Sequence, residues 1–190
     1  MILTLRFSSA LDYSFELHKN QNRKGTSTPY IAHLMSVCAL VLENGGDEDQ
    51  AIAALLHDAV EDQGGKRTLA EIERRFGRHV AAMVDDCTDA DVFPKPPWRD
   101  RKERYLAHLP AMNPDSVLVS MADKVHNARS ILRDLKKDGS SVWRRFTGEK
   151  EGTIWYYQQL ANFFSIHSSS PLAVELVEIV AQMEEIAADL

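Results

Sequence analysis

The sequence predicts an all-α protein of about nine to ten helices, and three observations carry that prediction. Apolar residues recur at helical spacing through most of the chain, residues that start and stop helices bracket those stretches, and no segment shows the sustained alternation of a half-buried strand. With 190 residues, 44% of them hydrophobic, the chain can bury one full core, so residues 1–190 are expected to form a single domain.

In chain order, helices are expected near 9–20, 29–44, 48–62, 68–76, 78–87, 98–109, 114–137, 152–167 and 171–190. Ser9 with Asp12, and Thr68 with Glu71, fit capping boxes, while Pro29, Pro114 and Pro171 suit first-turn positions. Gly45, Gly64-Gly65, Gly77 and Gly139 stand where helices can stop. Asp89 to Pro97, rich in proline, is expected to be a surface loop rather than a linker between domains. Arg99 to Arg104 mixes both signs of charge at helical spacing, the pattern of a solvated helix face.

Charge narrows the function. Lys and Arg total 22 against 28 Asp and Glu, a net charge of -6, which argues against a nucleic-acid polymer as partner while leaving a local basic pocket open. Cys38 and Cys87 lie far apart in apolar surroundings without CxxC spacing and are expected to be core thiols. No apolar leader or membrane-length run is present, so a cytoplasmic protein without a membrane partner is expected; oligomerisation is left open.

The chemistry centres on Ala51-Ile52-Ala53-Ala54-Leu55-Leu56-His57-Asp58-Ala59-Val60-Glu61-Asp62, apolar on every face until four ionisable groups arrive together. At about 100° per residue, His57 stacks under Glu61 and Asp58 under Asp62, placing all four within an arc of about 140°. Three carboxylates crowded beside an imidazole at the end of a buried helix call for a compensating cation. His33 and Asp123, each set in an apolar helix, are the candidate ligands from elsewhere in the chain. Two imidazoles and two carboxylates, from His33, His57, Asp58 and Asp123, suit one divalent ion such as manganese, iron, cobalt or zinc. Such an ion polarises a phosphoryl oxygen and acidifies water, which leaves Glu61 and Asp62 to orient that water or take its proton. Arg23 and Lys24 before His33, and Lys124, Asn127 and Arg129 after Asp123, are suited to an anionic, phosphate-bearing small molecule.

These residues resemble a known family. Arg23-Lys24-Gly25, Pro29-Tyr30-Ile31-Ala32-His33, Leu56-His57-Asp58-Ala59-Val60-Glu61-Asp62, Phe76-Gly77 with Val80, and Ala122-Asp123-Lys124-Val125-His126-Asn127 are similar in order and spacing to the HD-type hydrolase domain of RelA/SpoT proteins. Within that family the chain resembles the stand-alone small alarmone hydrolases of the metazoan SpoT-homologue type, over about residues 5 to 165. The resemblance implies an HD-domain helical bundle and a manganese-dependent enzyme that removes the 3′-pyrophosphate of guanosine tetraphosphate or pentaphosphate. It implies the same four metal ligands, water chemistry at Glu61 and Asp62, and contacts to the phosphorylated nucleotide from Arg23, Lys24, Tyr30, Asn127 and Ser130. With no room for a synthetase region, it implies degradation of the alarmone without synthesis.

Two departures touch substrate placement: Gln63-Gly64-Gly65 stands where the family often has threonine, and the loop from Arg23 to His33 varies in length between branches. The family's phosphate-side tyrosine falls in Trp155-Tyr156-Tyr157, a run that also suits the core. Competing readings are an adenosine alarmone, the 2′-phosphate of NADPH or a cyclic dinucleotide as substrate, and a non-catalytic nucleotide-binding module. His18, His79, His108, His126 and His167 form no compact motif of the kind a two-metal cyclic-dinucleotide enzyme would add.

Overall fold

A computed structural model of the chain describes residues 2–90, 92 and 94–189. Among these it shows ten α-helices and two 3-10 helices, with one isolated antiparallel bridge between Asn22 and Pro29 and no strand, so the all-α expectation holds. The helices are α1 (Leu5–His18), α2 (Ile31–Glu43), α3 (Glu48–Leu56), α4 (Ala59–Gln63), α5 (Lys66–Phe76), α6 (Arg78–Cys87), α7 (Trp98–His108), α8 (Pro114–Asp138), α9 (Glu149–His167) and α10 (Pro171–Ala188). The 3-10 segments are Leu109–Ala111 and Gly139–Arg145. Asp91 and Phe93, in the expected loop, and Leu190, at the expected end of the last helix, lie outside the described residues. No described helix is long and apolar enough to cross a membrane.

The architecture is organised around α3. Residues Ala51 to Leu56 are buried on every face, with α1, α2, α6 and α8 packed around them. An apolar helix with no solvated stripe is stable only inside such a bundle. The long α8 runs alongside and also packs on α2, α9 and α10. Cys38 and Cys87 are buried free thiols in this core.

Three local expectations fail. Helix α1 starts at Leu5, four residues before the predicted start, because Thr4 caps it by accepting from the Arg6 amide, while Ser9 Oγ donates to the Leu5 carbonyl inside the helix. Thr68 is likewise inside α5 and donates to the Gln63 carbonyl; the chain enters α5 through Gly64 and Gly65, at φ 132° and 59°, conformations that suit glycine. A capping box does exist at α3, where the Asp47 carboxylate accepts from the Gln50 amide and the Gln50 side chain accepts from the Asp47 amide.

The third failure shapes the site. The predicted helix 48–62 breaks at His57 and Asp58. Two carbonyls at the end of α3 are taken by side chains: Ala54 O lies 2.7 Å from His57 Nδ1, and Leu55 O accepts from Ser14 Oγ of α1 at 2.8 Å. Side chains inserted into the i→i−4 ladder end a helix, and Asp58, at ψ -3°, turns the chain into the single turn of α4.

Gly46 joins α2 to α3 and thereby sets His33 against His57. A Cβ there would lie 2.4 Å from Val41 Cγ1 and 2.8 Å from the Val41 carbonyl, which itself accepts the Gly46 amide at 2.9 Å. Backbone cannot yield as a flexible side chain can. Gly46→Ala is therefore expected to cost about 1–3 kcal/mol of stability, read as a melting point lower by roughly 2–4 °C per kcal/mol; an unchanged melting curve would contradict this account of the connection.

Candidate metal centre

Four side chains from separate parts of the fold converge at the break after α3. His33 comes from the first turn of α2, His57 and Asp58 from the break itself, and Asp123 from the middle of α8. His33, His57 and Asp123 are almost fully buried. His57 Nε2 lies 3.1 Å from Asp58 Oδ2 and 3.4 Å from Asp123 Oδ1, while His33 Nε2 lies 3.4 Å and 3.2 Å from the same two oxygens.

These contacts do not satisfy one another. The carbonyl facing His57 Nδ1 requires a proton on that nitrogen, so the neutral ring presents a bare lone pair at Nε2 to two carboxylates. Both Nε2 atoms are buried without a hydrogen-bond partner among the described residues. Burial alone disfavours charge on His57, but Asp58 and Asp123 outweigh it and hold the ring's pKa well above the usual range. A divalent ion resolves the conflict with every ring neutral. Metal bonds of about 2.1 Å at roughly 90–109° put neighbouring ligand atoms about 3.0–3.4 Å apart, the separations found between each imidazole and the two carboxylates. His33, His57 and Asp58 bring their ligand atoms close enough together to hold a divalent metal, and Asp123 Oδ1 lies against both imidazoles.

Neighbours fix the orientation of each group. His33 Nδ1 meets His126 Nδ1 at 2.8 Å, and burial, with His33 and Arg23 nearby, depresses the His126 pKa to about 3, so His126 is a neutral acceptor for the His33 proton. Tyr30 donates to Asp58 Oδ2 at 2.7 Å. Asp123 accepts from Lys124 Nζ at 2.7 Å and from Asn127 Nδ2 at 2.5 Å, while Asn127 Oδ1 accepts from Arg23. The spacing of Asp123, His126, Asn127 and Ser130 along α8 places all four on one face.

Beside the cluster opens a cavity of about 560 Å³, bordered by His33 and Glu61 and carrying six cations, Arg23, Lys24, Arg101, Lys102, Arg133 and Arg145, against the two carboxylates of Glu61 and Asp134. Glu61 Oε1 accepts from Lys95 Nζ at 2.8 Å and lies 3.6 Å from Arg101; Asp62 is 3.4 Å from Lys95. Burial and the nearby Asp89 push the Glu61 pKa up to about 7 against the opposing pull of Lys95.

Several sequence expectations change here. With the helix broken, His57 and Asp58 face His33 and Asp123 while Glu61 and Asp62 face Lys95, so the four do not form one arc. Arg23, Lys24, Asn127 and Ser130 border the cavity; Tyr30 does not, its hydroxyl being directed at Asp58. Arg129 is turned away to Glu175 of α10, and Lys124 is buried against Asp123, so neither adds to the basic cavity wall. Arg99, Asp100, Glu103 and Arg104 of the mixed-charge stripe are exposed as expected, whereas Arg101 and Lys102 turn into the cavity, both paired with Asp89. Tyr156 and Tyr157 both border it, whereas Trp155 lies under the Arg99 guanidinium. His18 and His126, which form no compact motif in the sequence, pack against Tyr30 and His33. For His126 a signal was present, since it follows Asp123 by three residues on the same helix.

Comparison with known proteins gives the family. An HD-domain family model matches residues 10–154. The chain is 39% identical over 137 residues to the guanosine-3′,5′-bis(diphosphate) 3′-pyrophosphohydrolase MESH1 of Xenopus tropicalis, covering 70% of this chain and 72% of that protein, and 37% identical to human MESH1 with the same coverage. A solved structure, described as a metazoan orthologue of SpoT that hydrolyses ppGpp, superposes with a TM-score of 0.79 at 25% identity, covering 96% of this chain and 97% of its own. The chain therefore belongs to the HD-domain family, among the guanosine-3′,5′-bis(diphosphate) 3′-pyrophosphohydrolases.

Proposed function

We propose that this protein hydrolyses the 3′-pyrophosphate of guanosine alarmones, converting ppGpp and water to GDP and pyrophosphate, with one manganese ion held by His33, His57, Asp58 and Asp123. The observation that carries this reading is a cluster of two imidazoles and two carboxylates whose His33 borders a cavity rich in cations. The cavity volume falls within the range of about 300–1,000 Å³ usual for small-molecule sites. The chain's similarity to the MESH1 enzymes supplies the substrate class.

The ion supplies Lewis acidity toward a phosphoryl oxygen and toward water. Glu61, with its raised pKa, is matched to take a proton from the attacking water near neutral pH, and Asp62 orients that water. As the new P–O bond forms, the bond between phosphorus and the ribose 3′-oxygen breaks, pyrophosphate leaves, and a proton returns to the 3′-oxygen. Lys95 and Arg101, beside Glu61, offset charge on the reacting diphosphate, while Arg23, Lys24 and Ser130 bind the remainder of the nucleotide. Asn127 contributes by holding Arg23 and Asp123 together, and Tyr30 by fixing Asp58. A free nucleotide as substrate accords with a cytoplasmic enzyme.

Pyrophosphate release should be measured with manganese across ppGpp, pppGpp, an adenosine alarmone, NADPH and a cyclic dinucleotide. Guanosine alarmones are expected to be turned over with the highest kcat/KM, and Arg23→Ala to raise KM about tenfold or more, the loss of one charge-assisted contact of roughly 1.5–3 kcal/mol. Absence of turnover on every guanosine alarmone, with metal bound, would overturn the assignment.

A further inference from the structure

Behind Asp62, outside the cavity lining, three side chains meet. His18, at the end of α1, is 1% exposed; its Nδ1 lies 2.8 Å from Gln21 Oε1, its Nε2 has no hydrogen-bond partner among the described residues, and its ring stacks on Tyr30 at 5.2 Å between centroids and 15° between planes. Gln63 Nε2 donates to the same Gln21 oxygen at 2.7 Å. A side-chain amide whose oxygen accepts from two neighbours must turn its nitrogen the other way, and Gln21 Nε2 donates to Asp62 Oδ2 at 2.8 Å. The amide orientation is thus fixed from both ends.

We propose that Gln21 is a positioning residue for Asp62, locked in orientation by His18 and Gln63. The proposal rests on the role given to Asp62 above. Through its stacked ring, His18 also ties this contact to the Tyr30 hydroxyl that holds Asp58, so one buried imidazole braces both the water-handling carboxylate and a ligand carboxylate. Without Gln21, Asp62 keeps, among the described residues, the longer contact to Lys95 at 3.4 Å. A buried imidazole with an unpaired nitrogen is costly for stability alone; a positioning task accounts for its retention at this place.

The test is kinetic. Gln21→Glu preserves the acceptor for His18 and Gln63 but replaces the donor facing Asp62 with a carboxylate oxygen; Gln21→Met, uncharged and of similar length, serves if that variant fails to fold. Either is expected to lower kcat on ppGpp about 10- to 100-fold, the usual loss when a partner of a site residue is removed, with KM, manganese affinity and melting temperature close to those of the parent. Gln63→Thr should lose less, and adding it to Gln21→Glu should cost nothing further, because both act through one amide. An unchanged kcat in Gln21→Glu and Gln21→Met beside an inactive Asp62→Asn would overturn the positioning role alone. A fully active Asp62→Asn would remove the role of Asp62 and the proposal with it.

Discussion

His57→Ala is expected to lower kcat/KM on ppGpp by about a thousandfold or more, since metal stabilisation of the developing charge is worth several kcal/mol and each 1.36 kcal/mol is a factor of ten. His57 has no substitute in the fold: its Nδ1 is committed to the Ala54 carbonyl and its Nε2 stands between Asp58 and Asp123. The variant should also lose the metal response of stability. An ion held by the folded site stabilises it by mass action, so manganese should raise the melting temperature of the parent protein in a concentration-dependent way and leave His57→Ala unmoved. Full turnover in His57→Ala, or an equal metal-induced shift in both proteins, would show that the ion does not depend on this imidazole.

Glu61→Gln is the second large effect. Loss of a general base is expected to lower kcat by about 10²–10⁴-fold while manganese affinity stays near the parent value, because Glu61 faces Lys95 rather than the four converging atoms. The sign of the pH dependence follows from its raised pKa. A base works only when ionised, so kcat/KM should rise with pH through a limb at or below about 7, a bound cation moving it downward. In Glu61→Gln that limb should vanish. A limb that persists at the same pH would assign the proton transfer to another group.

Much of the fold was legible because helix punctuation is local chemistry. Pro114 and Pro171 begin α8 and α10, and Gly77 and Gly139 cap the ends of α5 and α8, as their backbone preferences require. The break at His57 and Asp58 was not legible. Neither residue is a helix breaker, and the carbonyls that end α3 are taken by a ring three residues along and by Ser14, 41 residues away in sequence. The converging His33, His57, Asp58 and Asp123 stood out because each is an ionisable group in an apolar run, which costs free energy unless compensated. The cavity's cations were harder to find. Arg101 and Lys102 sit in a mixed-charge stripe whose pattern suits solvent, and only the folding of Asp89 against them turns that face inward. Gln21 and Gln63 carry no charge and no periodic signal; their importance exists only as a hydrogen-bond geometry around Asp62.

The central claim, that two imidazoles and two carboxylates share one ion, is tested most directly by anomalous diffraction from manganese-soaked crystals above the manganese absorption edge. The account predicts a single strong peak at about 2.1 Å from His33 Nε2 and His57 Nε2 and from one oxygen each of Asp58 and Asp123. A peak elsewhere, or none at this position while solution measurements show one bound ion per chain, would contradict it.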